Sequence, residues 1–371
     1  MRTGLAGLSV LVAVMTAAPV RAQETQIRVS GRVQVQYNTT AVDESDMGDE
    51  AASVASSTFE TRRVRLAVRL TIDEWITGSL EPEYALGQLA LRQVWINLGF
   101  DPGFEVRIGQ FKKPFSAILL MSSLETASIE RGLRIRELGD AYAFADASAG
   151  ERVLGSWSGE PVLGEEQTLL DMFGYMGYEL GASAHGSVGR FEYDIGVFNG
   201  SGPDARDDND GKSYAGRVVW RAPTALPVAV GAGMSYHEVS TATSVAVSDG
   251  TAYEIDFELG TFRRAGLHVL GEATTGTNMA VDESFVAAQA MLGFFHPLAG
   301  DRVDGVEPSL RLSWGDPNSE IADDAGILVT PGLNLYFAGR NRLQVNWDVY
   351  IPQGERFDTK HALRAQAQVA F

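Results

Sequence analysis

The sequence predicts an all-β protein, a transmembrane antiparallel β-barrel of about sixteen strands over residues 23–371, behind a signal peptide at 1–22. Three observations predict it. Apolar and polar residues alternate with period two over runs of about ten residues or more, which suits a tilted membrane strand. The connections between those runs alternate between short and long. The chain also opens on an export-like segment, and no later stretch is apolar enough for a spanning helix.

That opening segment has a positive start at Arg2, an uncharged apolar run from Leu5 to Ala18, and the small-x-small triplet Val20, Arg21, Ala22. This pattern predicts cleavage after Ala22. The 371-residue chain contains no cysteine, so a disulfide framework and thiolate metal sites are excluded. Its formal charge of -18 argues against nucleic acid as a partner, because neutralising phosphates requires clustered Lys and Arg.

In the first strand Ile27, Val29, Val33, Val35 and Tyr37 oppose Arg28, Ser30, Arg32, Gln34 and Gln36. In the second, Val64, Leu66, Val68 and Leu70 oppose Arg63, Arg65, Ala67, Arg69 and Thr71. The pattern returns at 104–108, 309–314 and 342–349, and ends on Phe371. A C-terminal aromatic on an alternating strand resembles the signal read by the barrel-assembly machinery. Short turns are expected at 73–74, 101–103, 186–189, 264–265 and 339–341. Longer polar loops are expected at 39–57, 112–168, 200–211, 238–250, 316–325 and 352–359. The acids collect in those loops, at Asp43, Glu44, Asp46, Asp49 and Glu50 and again at Asp204, Asp207, Asp208 and Asp210. They read either as a solvated rim or as a site for cation bridging to lipopolysaccharide; residues 207–211 are too short for a calcium loop.

The alternation fixes where the arginines point. A lipid-facing Arg costs about 2–4 kcal/mol at mid-membrane, so a second strand that turned Arg63, Arg65 and Arg69 outward together is untenable. The same parity sends Arg28, Arg32, Arg107, Arg311, Arg342 and Arg364 to the lumen, while Arg62 breaks it and is expected to snorkel at the outer end of the strand. Inward guanidinium groups either line an anion path or neutralise lumenal acids such as Glu81, Glu83, Glu105 and Asp348. The segment 112–168 follows the fifth strand and is expected to fold into the lumen as the third long external loop; the alternative is an external cap. Lys112 and Lys113 stand where it leaves the wall, and Glu130, Arg131, Arg134 and Arg136 could line a constriction.

Four segments carry a family resemblance. Residues 107–116 (RIGQFKKPFS) look like the RxGQFKxPF segment of the phosphate-selective porin O and P family. Residues 59–66 (FETRRVRL) are similar to its second strand, 196–202 (GVFNGSG) to one of its strand ends, and 333–337 with 363–366 to its closing strands. The resemblance implies an outer-membrane channel, a homotrimer, and passage of phosphate-like anions along an arginine ladder and a lysine cluster. The ladder maps onto Arg63, Arg65, Arg69 and their neighbours. This chain has only four lysines, at 112, 113, 212 and 360, and only the first pair is placed for the cluster. The expectation is therefore a passive porin for small hydrophilic solutes with an anion preference and no strict phosphate selectivity, a non-selective general porin being the alternative. Its other partners would be outer-membrane lipid, lipopolysaccharide and, through Phe371, the assembly machinery. An outer-membrane hydrolase is the further rival. His185, His237, His268, His296 and His361 are scattered, without HExxH, GxSxG or metal-ligand spacing, so no catalytic residue, metal or cofactor is expected.

Overall fold

In the computed structural model, sixteen strands close into a single antiparallel barrel in which each strand pairs with its neighbours in sequence and the first pairs with the last. The described residues are 25–41, 56–85, 88–131, 170, 174–207, 209–238, 247–279, 282–322, 325–353 and 359–371. The expected signal peptide, the acidic segment 43–50, and Arg134 and Arg136 lie outside them.

The first strands are β1 (Gln26–Ala41), β2 (Ser56–Asp73), β3 (Ile76–Ala85), β4 (Gln88–Asp101) and β5 (Phe104–Lys112), followed by the short helix α1 (Ala117–Leu120). Next come β6 (Tyr178–Val188), β7 (Phe191–Phe198), β8 (Ser213–Arg221), β9 (Val228–Glu238), β10 (Asp249–Leu259) and β11 (Gly266–Asn278). The barrel ends with β12 (Glu283–Pro297), β13 (Gly305–Asp316), β14 (Gly326–Tyr336), β15 (Arg342–Pro352) and β16 (Lys360–Ala370).

Burial is inverted relative to a water-soluble sheet. On β15, Leu343, Val345 and Trp347 are 46–50% exposed, whereas Arg342, Gln344, Asn346 and Asp348 between them are 1–2% exposed. An apolar outside around a polar inside is the arrangement of a barrel whose solvent is lipid. Aromatic rings gather at both rims: Trp75, Phe100 and Phe104 are in contact at one, and Tyr37 and Phe59 lie 4.7 Å apart at the other. The rim that also holds both strand termini has the tight turns, at 74–75, 102–103 and 189–190 among others. The opposite rim carries the long connections, with two exceptions: β3 to β4 and β11 to β12 are joined by only 86–87 and 279–282.

Two β-bulges change which side chains reach the lumen. Between β1 and β2 the register jumps from Gln34 opposite Arg63 to Val35 opposite Thr61, leaving Arg62 as the extra residue. Arg62 therefore turns inward and is fully buried, contrary to the expectation that it snorkels outward. Between β3 and β4 the pairing jumps from Glu81 opposite Gln93 to Pro82 opposite Leu91, and Arg92 is buried in the same way.

The barrel closes at Gly31, whose N–H donates to the Phe371 carbonyl at 2.9 Å and whose carbonyl accepts from Phe371 N at 3.1 Å. A Cβ at position 31 would lie 2.5 Å from the Phe371 ring and 2.8 Å from the Arg65 carbonyl oxygen. The ring can swing away but the backbone carbonyl cannot, so Gly31→Val should cost about 1–3 kcal/mol through overpacking. A lower midpoint in heat-induced loss of the compact gel species would check this.

Candidate functional site

The long connection after β5 enters the lumen, as far as it is described. The chain leaves the wall at Lys113 and turns at Ser116, which holds a left-handed backbone with φ 65°. Ser116 then caps α1: its Oγ accepts from Leu119 N at 3.2 Å and donates to Glu272 on β11 at 2.9 Å. Ile118 N also donates to Glu272, at 3.1 Å. At the other end of α1, Arg131 Nη1 donates to the carbonyls of Leu119 (2.9 Å) and Met121 (2.7 Å), and Lys112 Nζ reaches the Leu119 carbonyl too. Ile118 packs with Leu270 and Met291, and Phe115 and Leu119 join Tyr175, Met176 and Phe285 in a larger apolar cluster.

Residues 122–131 have left the sheet, so their backbone polar groups need other partners. The barrel wall supplies them. Gln34 donates to Ser123 O (3.3 Å), Arg342 to Thr126 O (2.9 Å), Asn334 to Ala127 O (2.8 Å) and Arg311 to Glu130 O (2.8 Å). Ile129 N donates to Asn346 Oδ1 at 2.6 Å. The Glu130 carboxylate accepts from Arg62 Nε (2.5 Å) and Nη2 (2.9 Å), Gln36 Nε2 (2.9 Å) and Arg63 Nη2 (3.4 Å).

The arginines expected on the channel wall therefore divide. Arg63 is buried against Glu130, and Arg311 is buried between Glu130 O, Thr330 Oγ1 and Asp348, whose carboxylate also binds Arg364 at 2.6 Å. Arg65 lies 2.6 Å from Glu83 and 3.8 Å from Glu81, and donates to the Tyr178 hydroxyl. Lys113 is buried 3.2 Å from Glu179. Four others remain accessible. Arg28 is exposed and makes no ion pair among the described residues; Arg69 is 62% exposed, with its nearest carboxylate, Glu81, at 4.0 Å. Arg32 is half-buried and donates to the Ser123 hydroxyl at 2.8 Å and to that of Ser122 at 3.3 Å. Arg107, on β5, lies 5.2 Å from the ring centroids of both Trp95 and Phe111.

Residues 116–131 lean on β11–β15, β1 and β2, and Tyr175 bonds β9 and β11, so among the described residues space remains beside β5–β8. A cavity of about 420 Å³ lies there, lined by Arg107, Lys112, Leu120, His185, Asp194 and Arg217 among others. Cross-strand register places Glu105, His185, Asp194, Arg217, Gly233 and Glu254 in one belt from β5 to β10. Gly233 and Gly231 have no side chain to block it, so Arg217 reaches Asp256 at 2.7 Å and Glu254 at 3.3 Å. Sequence reading singled out neither Asp194 nor Arg217, although both stand at polar positions of alternating runs. Among the described residues, no three His, Cys, Asp or Glu side chains converge as a metal site would require.

The same architecture recurs in solved structures. OprB of Pseudomonas putida is 11% identical with a TM-score of 0.58, the alignment covering 92% of this chain and 94% of that one. The outer-membrane channel DcaP of Acinetobacter baumannii is 10% identical with a TM-score of 0.56, covering 94% and 97%. The trimer form of OmpT, an outer-membrane protein of Vibrio cholerae, is 12% identical with a TM-score of 0.52, covering 94% and 99%. At these identities the likeness is one of fold. No curated protein matches the chain. The description "Phosphate-selective porin O and P" fits residues 27–253, which span β1–β9, the inward connection after β5, and the strands that carry Arg28, Arg32, Arg63, Arg65, Arg69 and Arg107. This polar-lined barrel with a loop narrowing its lumen is a bacterial outer-membrane porin, and the chain belongs to the phosphate-selective porin O and P family.

Proposed function

We propose that this porin is a passive diffusion channel that prefers anions and catalyses no reaction. The observation that carries the reading is a pair of like-charged cross-strand contacts facing the lumen: Arg28 stands opposite Arg69, and Arg32 opposite Arg65. Like charges opposed across strands repel and favour a counter-ion between them. Arg65 is answered by Glu83, while among the described residues Arg28, Arg32 and Arg69 have no carboxylate within ordinary ion-pair contact except Glu81 at the limit from Arg69. Arg28, Arg32 and Arg69 would thus set the preference, while Arg107 faces Asp194 at 3.6 Å. Arg63, Arg65, Arg311, Lys112, Lys113 and Arg131 would hold the loop and the wall. Strict phosphate selectivity is not part of the proposal, because Lys112 and Lys113 are engaged by Leu119 O and Glu179.

The reading includes removal of 1–22 as a signal peptide, recognition of the Phe371 strand by the assembly machinery, and contact of the outer rim with lipopolysaccharide. A homotrimer is supported by the family and by the trimer form of the similar OmpT. The channel should show an anion-favouring reversal potential across a KCl gradient in planar bilayers. The triple replacement of Arg28, Arg32 and Arg69 by alanine should bring that potential close to zero. A cation-favouring wild type, or no response in the variant, would refute the anion assignment in favour of a general porin.

A further inference from the structure

The cavity between the inward loop and β4–β8 holds one charged pair that differs from its surroundings. Most charged groups on its lining have short partners: Arg217 binds Asp256 at 2.7 Å, Glu192 binds Arg221 at 2.6 Å, and Glu105 accepts from Asn97 at 2.6 Å. Lys112 donates to the Leu119 carbonyl. Arg107 and Asp194, by contrast, stand 3.6 Å apart, beyond hydrogen-bond distance, with side chains 24% and 26% exposed, and Arg107 Nη2 otherwise meets the His185 ring nitrogen at a long 3.4 Å. Arg107 is held in place from behind. Trp95 and Phe111 flank its guanidinium at 5.2 Å, and Ser183 and Asn97 are its cross-strand neighbours. Phe111, Pro114, Leu120 and Val219 give the same cavity an apolar floor.

Such a site discriminates by the number of charges on the solute. A carboxylate that reaches Arg107 meets the negative charge of Asp194 beside it, and an ammonium that reaches Asp194 meets Arg107. A solute carrying both groups on one carbon can replace the loose contact with two charge-assisted hydrogen bonds. Its side chain would then lie on the apolar floor, and about 420 Å³ is within the range of small-ligand pockets. We propose that this cavity is a binding subsite for zwitterionic amino acids with an apolar or aromatic side chain, the carboxylate on Arg107 and the ammonium on Asp194. The proposal rests on the chain's conducting solutes as a porin and is independent of its anion preference.

Three solutes of nearly equal shape test it: phenylalanine, 3-phenylpropionate without the ammonium, and 2-phenylethylamine without the carboxylate. Each is added to the full-length protein in planar bilayers at neutral pH and constant ionic strength, and block of the ion current is titrated. Phenylalanine should block at a concentration about tenfold below either of the others, the ratio expected from one charge-assisted hydrogen bond. Asp194→Asn should abolish that advantage while leaving the block by 3-phenylpropionate no weaker. Arg107→Gln should do the same while sparing 2-phenylethylamine, and if it fails to assemble, Asp194→Asn alone decides. Equal block by all three solutes, or an unchanged phenylalanine block in Asp194→Asn, overturns the subsite and leaves the porin intact. A protein that assembles but carries no current fails as a channel and takes the proposal with it.

Discussion

Replacing Glu130 with alanine should raise single-channel conductance and add slow current fluctuations. Its carboxylate, 1% exposed, is the point on which Arg62, Arg63 and Gln36 converge. Removing it leaves two buried guanidinium groups without their shared counter-charge, a loss of about 3–5 kcal/mol. That energy is lost from the docked position of the loop, whose other described carboxylate, Glu125, meets Arg340 at 2.8 Å with both side chains exposed. The backbone contacts to Arg311, Asn334 and Arg342 do not depend on this side chain. The loop should therefore visit undocked positions rather than leave the lumen permanently, which is why fluctuations are expected as well as a larger mean current. Glu130→Gln keeps the shape and one acceptor, so it should fall between the two. Wild-type conductance and noise in Glu130→Ala would show that the loop is held by its backbone contacts alone.

The second large effect is expected at Asp348. Its carboxylate receives Thr330 Oγ1 at 2.5 Å, Arg364 Nε at 2.6 Å and Arg311 Nη2 at 3.3 Å, joining β13, β14, β15 and β16 on the inner face. Asp348→Ala should lower barrel stability by about 3–5 kcal/mol, since two buried cations lose the carboxylate they share. Adding Arg364→Met should recover part of that loss, because an apolar side chain of similar volume removes one of the two cations from a wall that has lost its carboxylate. Denaturation monitored by tryptophan fluorescence in detergent would give both values. If the double variant is as unstable as the single one, the cause is lost packing rather than stranded charge.

Much of the fold was legible because two signals coincide. Alternation marks the strands, and the cost of charge in lipid tells which of their faces is outside. Together they place Arg28, Arg32, Arg65 and Arg69 on the inner wall without any knowledge of neighbouring strands. The failures have a common cause. An extra residue in a strand shifts parity, and nothing in the run Thr61 to Val64 says which of the adjacent arginines occupies the extra place. Pro82, beside the second bulge, is the one local hint, since proline cannot complete a central ladder. The division of the arginines was not legible either. Glu130 lies 68 residues from Arg62 and 67 from Arg63, so which guanidinium groups are consumed by the loop depends on its path and not on the strands. The Arg107–Asp194 pair, on β5 and β7, comes together only once both strands are registered against β6.

The loop also touches the wall at the seam where the chain's first strand meets its last. Gln34 donates to Gln368 Oε1 across that seam at 2.7 Å and to Ser123 O at 3.3 Å, and Arg342 donates to both as well. Closure of the cylinder and seating of the loop thus draw on the same donors, which makes them linked equilibria. Residues 334 apart in sequence are joined at this seam, and a segment encoded in the first third of the gene braces it from within. A change that unseats the loop to widen the pore therefore also weakens the join between the two ends of the barrel, so permeability and mechanical integrity are set against each other at a single serine carbonyl.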